Sequence, residues 1–186
     1  MWVLVRKPAT SGGVSAATVR SYFQILEDTL LGFTLDPWKT KKKRRLVETA
    51  KFYLFDIGVA NQLNPETSTI GKGSDLFGRA FEHFLLNEVR ALMAYRGQDR
   101  SLAFWRTSSG HEVDLVVGDL DVALEFKAVE RVREVDLRGM RVLRDEHRVG
   151  RAIVVSQEAR PRTTEDQIEI LPWQVFCTML WGGELL

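Results

Sequence analysis

Cysteine is almost missing from this chain. Cys177 is the only one in 186 residues, which excludes an internal disulfide and a cysteine-built zinc site and suits a reducing compartment. Cytoplasm is the expected location. No apolar run approaches the ~20 residues that span a bilayer, and no charged head precedes an apolar signal stretch at the N-terminus, so a soluble protein with no membrane partner is expected. A dominant charge is missing too: 26 Lys and Arg against 25 Asp and Glu leave a net charge of +1, so a nucleic-acid partner must be argued from local clusters. There is no internal repeat and no long low-complexity segment. No GxxxxGK[ST] occurs either: "IGKGS" (70–74) has the lysine without the preceding glycine and strand, so it carries no nucleotide role. The remaining composition, 45% apolar and 27% charged, fits one globular domain or one domain with a small appendage.

Helical spacing is clear in "VSAATVRSYFQILEDTLL" (14–31), where Val19, Phe23, Leu26 and Leu30 share a face, Ser15 is the N-cap and Gly32 the stop. Phe33 to Pro37 reads as a strand, "KTKKKRR" (39–45) as a loop and "KFYLFD" (51–56) as a second strand, with Asp56 capping a short helix in "IGVANQL". This order resembles the second half of a winged helix whose first two helices are missing, so residues 1–63 are expected to form a truncated winged-helix segment. "NPETSTIGKGS" (64–74) is rich in Pro, Ser, Thr and Gly and marks a linker. Residues 75–186 form the second unit. A helix from about Asp75 to Tyr95 is followed by strands at 101–107, 111–117 and 122–128, a polar helix at 134–147, a strand at 151–156, and a final strand and helix in "IEILPWQVFCTMLW". The class is α/β with a core order α-β-β-β-α-β. The strands at 122–128 and 151–156, joined by a helix, are expected to run parallel with a right-handed crossover.

"GHEVDLVVGDLDVALEFKA" (110–128) reads as a core hairpin that nevertheless carries Asp114, Glu125 and Lys127. Alternation puts Val113, Leu115 and Val117 on one face and Glu112, Asp114 and Val116 on the other; likewise Leu124, Phe126 and Ala128 oppose Glu125 and Lys127. A turn at Asp119 and Leu120 sets Asp114 opposite Glu125, with Cβ atoms roughly 4.5 to 5.5 Å apart; a bulge would shift that register. Two carboxylates so close repel unless they share a proton or a cation. A divalent ion such as Mg²⁺ is one resolution, with Lys127 orienting the attacking water or stabilising charge on a phosphate. Salt bridges on a solvated sheet face are the other.

An Asp on one strand and Glu-x-Lys on the next, after a helix bearing a Glu, resemble the PD-(D/E)XK (restriction-endonuclease-like) nuclease superfamily, whose core order is the one read above. The superfamily's proline is replaced by Val113. More closely, "VSAATVRSYFQILEDTLLGFTLDPW", "KFYLFDIGVANQL", "GRAFEHFLLNEV" and "EVDLVV...LEFKA" resemble the C-terminal region of a prokaryotic AAA+ ATPase family known as domain of unknown function 4143. The resemblance implies a DNA-binding, nuclease-like domain that hydrolyses phosphodiesters with Mg²⁺ or Mn²⁺, and an AAA+ ATPase module in cis or in trans. Glu82, Asp114 and Glu125 would bind the metal. Asp114, Glu125 and Lys127 would be catalytic. A module that keeps the nuclease fold without cleaving, and serves DNA binding or assembly, is the alternative.

Glu88 competes with Glu82 for the helix-borne ligand. Phe77, Ala80, Phe81, Phe84, Leu85 and Leu92 form the buried stripe; Glu88 falls near its middle and Glu82 at its edge. An edge suits a group that must reach a cleft, and GxxxE matches the superfamily, so Glu82 is preferred. The basic run, including Lys41, Lys42, Lys43, Arg44 and Arg45, is either a wing lying along the backbone of duplex DNA or a solvated loop. Thr18, Arg20 and Ser21 on the polar face of the first helix are weaker DNA contacts. Arg106 is a phosphate contact or a partner of Glu112. His111 stands beside the proposed site but reads as an exposed turn at a strand start, and His83 and His147 lack partners at ligand spacing. Trp38, Trp105, Trp173 and Trp181 are dispersed and read as anchors rather than a stacking platform.

Overall fold

The computed structural model describes residues 2–4, 15–39, 49–63 and 71–186, the first three by backbone alone. Strand β1 (Trp2–Leu4) precedes helix α1 (Ala16–Asp28), where Ser15 caps as expected by accepting from Thr18 N–H at 3.1 Å. The helix stops before Gly32. Thr29 Oγ1 turns back to the Ile25 carbonyl at 2.6 Å and Leu30 takes a φ of 59°, so the glycine opens strand β2 (Gly32–Pro37) instead. Its missing side chain makes room for Phe52, since a Cβ there would stand 2.3 Å from Phe52 Cζ. Strand β3 (Lys51–Leu54) and helix α2 (Ile57–Gln62), capped by Asp56, follow.

The second half runs α3 (Asp75–Tyr95), β4 (Leu102–Arg106), β5 (Glu112–Val117), β6 (Val122–Lys127), a 3-10 turn (Glu134–Leu137), α4 (Arg138–Glu146), β7 (Arg151–Ser156), β8 (Arg162–Thr163), β9 (Glu169–Pro172) and α5 (Trp173–Gly182). From α3 to β7 this is the expected α-β-β-β-α-β. The described strands form one mixed sheet in the order β1-β3-β2-β4-β5-β6-β7-β9-β8. β4, β5 and β6 are an antiparallel meander, and β6 pairs with β7 in parallel from Val122↔Arg151 to Lys127↔Ser156. Helix α4 joins that parallel pair.

Helices cover both faces. On one, Phe81, Leu85, Val89 and Leu92 of α3 and Phe176 and Leu180 of α5 pack on Leu115, Val117, Leu124, Phe126, Ile153 and Val155. On the other, Leu137 and then Met140 and Leu143 of α4 cover Val113, Val116, Ala123, Val154 and Ile170. Alternation along fully buried strands explains why β6 and β7 are apolar almost throughout. Gly139 brings α4 into backbone contact with the start of β5, because a Cβ there would lie within 2.1 Å of the Glu112 carbonyl.

Residues 64–70 of the expected linker lie outside the described residues. Across that interval the sheet continues, because β2 pairs in parallel with β4 through Asp36↔Ala103 and Pro37↔Phe104. Strand β3 therefore stands close enough to α3 to build a site with it.

Candidate active site

The hairpin keeps the expected register: Leu115, Val116 and Val117 pair with Leu124, Ala123 and Val122. On its other side β5 is irregular. Ala103 pairs with Val116 and Trp105 with Val113, so three steps along β5 oppose two along β4. This bulge resets the alternation. Val113 packs beside Val116 under α4, not beside Leu115 and Val117 as strict alternation predicts. Asp114 lies inside the bulge, and its Oδ2 accepts the Phe126 N–H at 2.8 Å. Side chain and backbone thereby tie the strands together where regular pairing stops. Glu125 and Lys127, two apart on β6, form an ion pair of 2.5 Å.

A second group arrives from β3. Lys51 and Tyr53 alternate onto the face that meets α3, while Phe52 turns the other way onto Phe23 of α1, with ring centroids 4.7 Å apart. Lys51 is only 1% exposed. Its Nζ lies 3.3 Å from Glu82 Oε1 and 2.5 Å from Glu112 Oε1, and Tyr53 O–H donates to Glu82 Oε1 at 2.7 Å. Arg106 adds a contact to Glu112 at 3.4 Å. His83 anchors the helix from behind: it is fully buried, its Nε2 lies 2.6 Å from the Leu54 carbonyl, and burial pushes its pKa down to about 4.

Glu82, Asp114, Phe126 and Lys127 line one cleft of ≈ 380 Å³, with Gly73, Ser74, Asp75, Gly78 and Arg79 forming its wall at the start of α3, and Glu125 is not among its described lining residues. Burial raises the Asp114 carboxyl well above the ordinary range, and the Glu125 and Glu82 charges raise it further. Burial also raises Glu125, against the pull of Lys127. Lys51 and Lys127 are each held above the usual lysine value: burial works against their charge, but Glu82 and Asp114 outweigh it at Lys51, and Glu125 and Asp114 at Lys127. Both remain ammonium ions at neutral pH, so Lys127 is a donor and a charge rather than a base.

Among the described residues, no group of three or more His, Cys, Asp or Glu side chains is arranged to hold a metal ion. The donor chemistry nevertheless fits a hard divalent cation. Asp114 and Glu125 are buried carboxylates with raised pKa values, and Glu125 Oε2 is buried with no hydrogen-bond partner among the described residues.

Of the two helix glutamates, Glu82 lines the cleft, whereas Glu88 accepts Trp181 Nε1–H at 2.8 Å beneath α5. Lys41, Lys42, Lys43, Arg44 and Arg45 lie outside the described residues. Thr18, Arg20 and Ser21 are exposed on α1. His111 sits in the loop before β5, and His147 packs edge-on to Trp38 at 5.0 Å. Trp105 is core, and Trp173 packs against Phe84. Nothing in the sequence alone marks Lys51, Tyr53 or Arg79 as site residues. The Lys-x-Tyr spacing in "KFYLFD" signals a shared face, but not which carboxylates that face meets.

A model of a domain of unknown function, DUF4143, matches residues 77–176, and that of a second domain of unknown function, DUF8612, matches residues 5–70. "Uncharacterized protein Rv2008c" of Mycobacterium tuberculosis and "Uncharacterized protein Mb2031c" of Mycobacterium bovis are each 30% identical to this chain over 110 residues, which is 59% of this chain and 24% of theirs. The match spans about a quarter of the length of these relatives. No solved structure matches.

Proposed function

The chain belongs to the DUF4143 family, and from that premise and the cleft we propose that it is a DNA-binding, nuclease-like domain that hydrolyses phosphodiesters with Mg²⁺ or Mn²⁺. The observation that carries this reading is a pair of buried carboxylates on neighbouring strands, Asp114 and Glu125, with one oxygen unbonded among the described residues and a lysine two residues beyond Glu125. We read the order α3-β4-β5-β6-α4-β7 as a PD-(D/E)XK core and the α1-β2-β3 segment as part of a winged helix. Asp114, Glu125 and Glu82 would hold the cation. When bound, it supplies Lewis-acid activation of the phosphodiester and a more acidic water. Lys127, which stays charged, stabilises negative charge developing on the phosphate. Lys51 and Tyr53 fix the Glu82 carboxylate at the cleft. The basic run 41–45 serves duplex DNA, an AAA+ ATPase module acts with the domain in cis or in trans, and the setting is the cytoplasm.

Incubation of the protein with supercoiled plasmid and Mg²⁺ or Mn²⁺ tests this. Cleavage that EDTA stops and that Asp114→Ala and Lys127→Ala each reduce at least ~100-fold is expected; equal cleavage by these variants overturns the mechanism.

A second reading has its own support. Lys51 and Lys127 already form ion pairs with Glu82, Glu112 and Glu125, as in a nuclease fold kept for DNA binding or assembly. Salt-sensitive DNA binding without cleavage under any divalent cation selects it.

A further inference from the structure

Gly78 is a glycine without a packing reason. It closes the first turn of α3, where Ala is the better helix former, and a Cβ on it would meet no atom of the described residues within 4 Å. Gly139, by contrast, is required by a backbone only 2.1 Å from where its Cβ would be. The bare surface at Gly78 faces the cleft that holds Asp114, and Gly73, with φ 86° and open space around it, lines the same wall. Arg79, the next residue, is exposed, lines the cleft and makes no ion pair among the described residues. Of the two basic residues that line this cleft among the described residues, Lys127 is occupied by Glu125 and Arg79 has no ion pair there. Gly78 and Arg79 precede Glu82 by four and three residues, so all three fall on one helix face.

We propose that Gly78 and Arg79 form the seat for one backbone phosphate of the bound DNA, beside the carboxylates that would hold the cation. The Arg79 guanidinium offers a planar fork suited to a phosphate's two free oxygens. The missing side chain at Gly78 lets the sugar-phosphate backbone lie against the helix. A cation at this wall also offsets the repulsion that Asp75, Glu82 and Asp114 would exert on a polyanion. The seat rests on the nuclease-like reading, and it makes a demand that reading does not: Gly78 is kept for access at the expense of helix stability.

Fluorescence anisotropy with a labelled duplex oligonucleotide in EDTA measures the seat without the metal or turnover. Arg79→Ala is expected to weaken binding about tenfold and to lower the log-log salt slope by about one, with Arg79→Lys recovering part of the loss. Gly78→Ala is expected to weaken binding severalfold while raising Tm by roughly 2 to 4 °C. This opposition is one that a merely structural glycine would not produce. Unchanged affinity in either alanine variant, with wild-type binding intact, overturns the seat and leaves the nuclease-like reading standing. A wild-type protein that binds no duplex in EDTA or with Ca²⁺ in its place overturns both.

Discussion

At the open end of β5 and β6, and along the edge from α4 to β9, the chain gathers the same residue types with opposite electrostatic results. Along the edge, Arg151 and Arg162 make two-point contacts of 2.9 Å to Glu169 and Glu158. Asp166 receives Arg141 Nε–H at 2.8 Å and the Thr164 hydroxyl at 2.6 Å, and Arg141 pushes its pKa down to about 2. These groups are partly exposed, so each pair contributes about 0 to 1 kcal/mol. By contrast, Asp114, which lines the cleft, and Glu125 on the next strand are 9% and 5% exposed, and burial drives their pKa values up despite nearby lysines. Solvent access, rather than residue type, decides whether a charge cluster is merely compatible with the fold or is held there against it.

The two clusters are expected to differ most in activity. Asp114→Asn keeps an acceptor for Phe126 N–H but removes the charge, and is expected to cut plasmid cleavage at least ~100-fold, while Arg141→Ala leaves the rate within about twofold. Equal losses in the two variants would erase the distinction. In stability the next effect belongs to Lys51→Met. It leaves Glu82 and Glu112 without their buried cation and should cost about 3 to 5 kcal/mol in denaturant unfolding, the size seen when one partner of a buried pair is removed. A loss under 1 kcal/mol would mean that water reaches the cluster.

The pH slopes are expected to have opposite signs. A carboxyl whose pKa is raised on folding binds more protons folded than unfolded, so its contribution falls as pH rises above the ordinary carboxylate range. Asp114→Asn should therefore stabilise the protein more at pH 7 than at pH 4, followed by Tm. Asp166 behaves the other way: its folded pKa is depressed, so its contribution is present above the ordinary aspartate value of about 4 and is lost as pH falls toward about 2. Asp166→Asn should lower Tm slightly at pH 7, and its curve should meet the wild type near pH 2. Added salt should shrink this smallest difference first.

Much of this was legible in local pattern. The 3.6-residue spacing placed α1 and α3, Ser15 and Asp56 announced their caps, and the turn at 118–121 fixed the register of β5 on β6. The bulge that holds Asp114 left no mark, because no glycine or proline accompanies it and its cause is a mismatch with β4, a different strand. Nor does a local window show β2 pairing with β4, 67 residues on from Asp36 to Ala103, and that pairing is what brings Lys51 to Glu82. The hairpin's charges were readable from alternation; the buried lysine that answers them came from a segment whose sequence reads only as a strand.

The most direct test is calorimetric titration of Mn²⁺ into the wild-type protein and into Asp114→Asn, without DNA. One saturable site in the wild type that the substitution abolishes is the expected result. No binding to either protein, or equal binding to both, would contradict the claim that the buried carboxylates of β5 and β6 form a metal site.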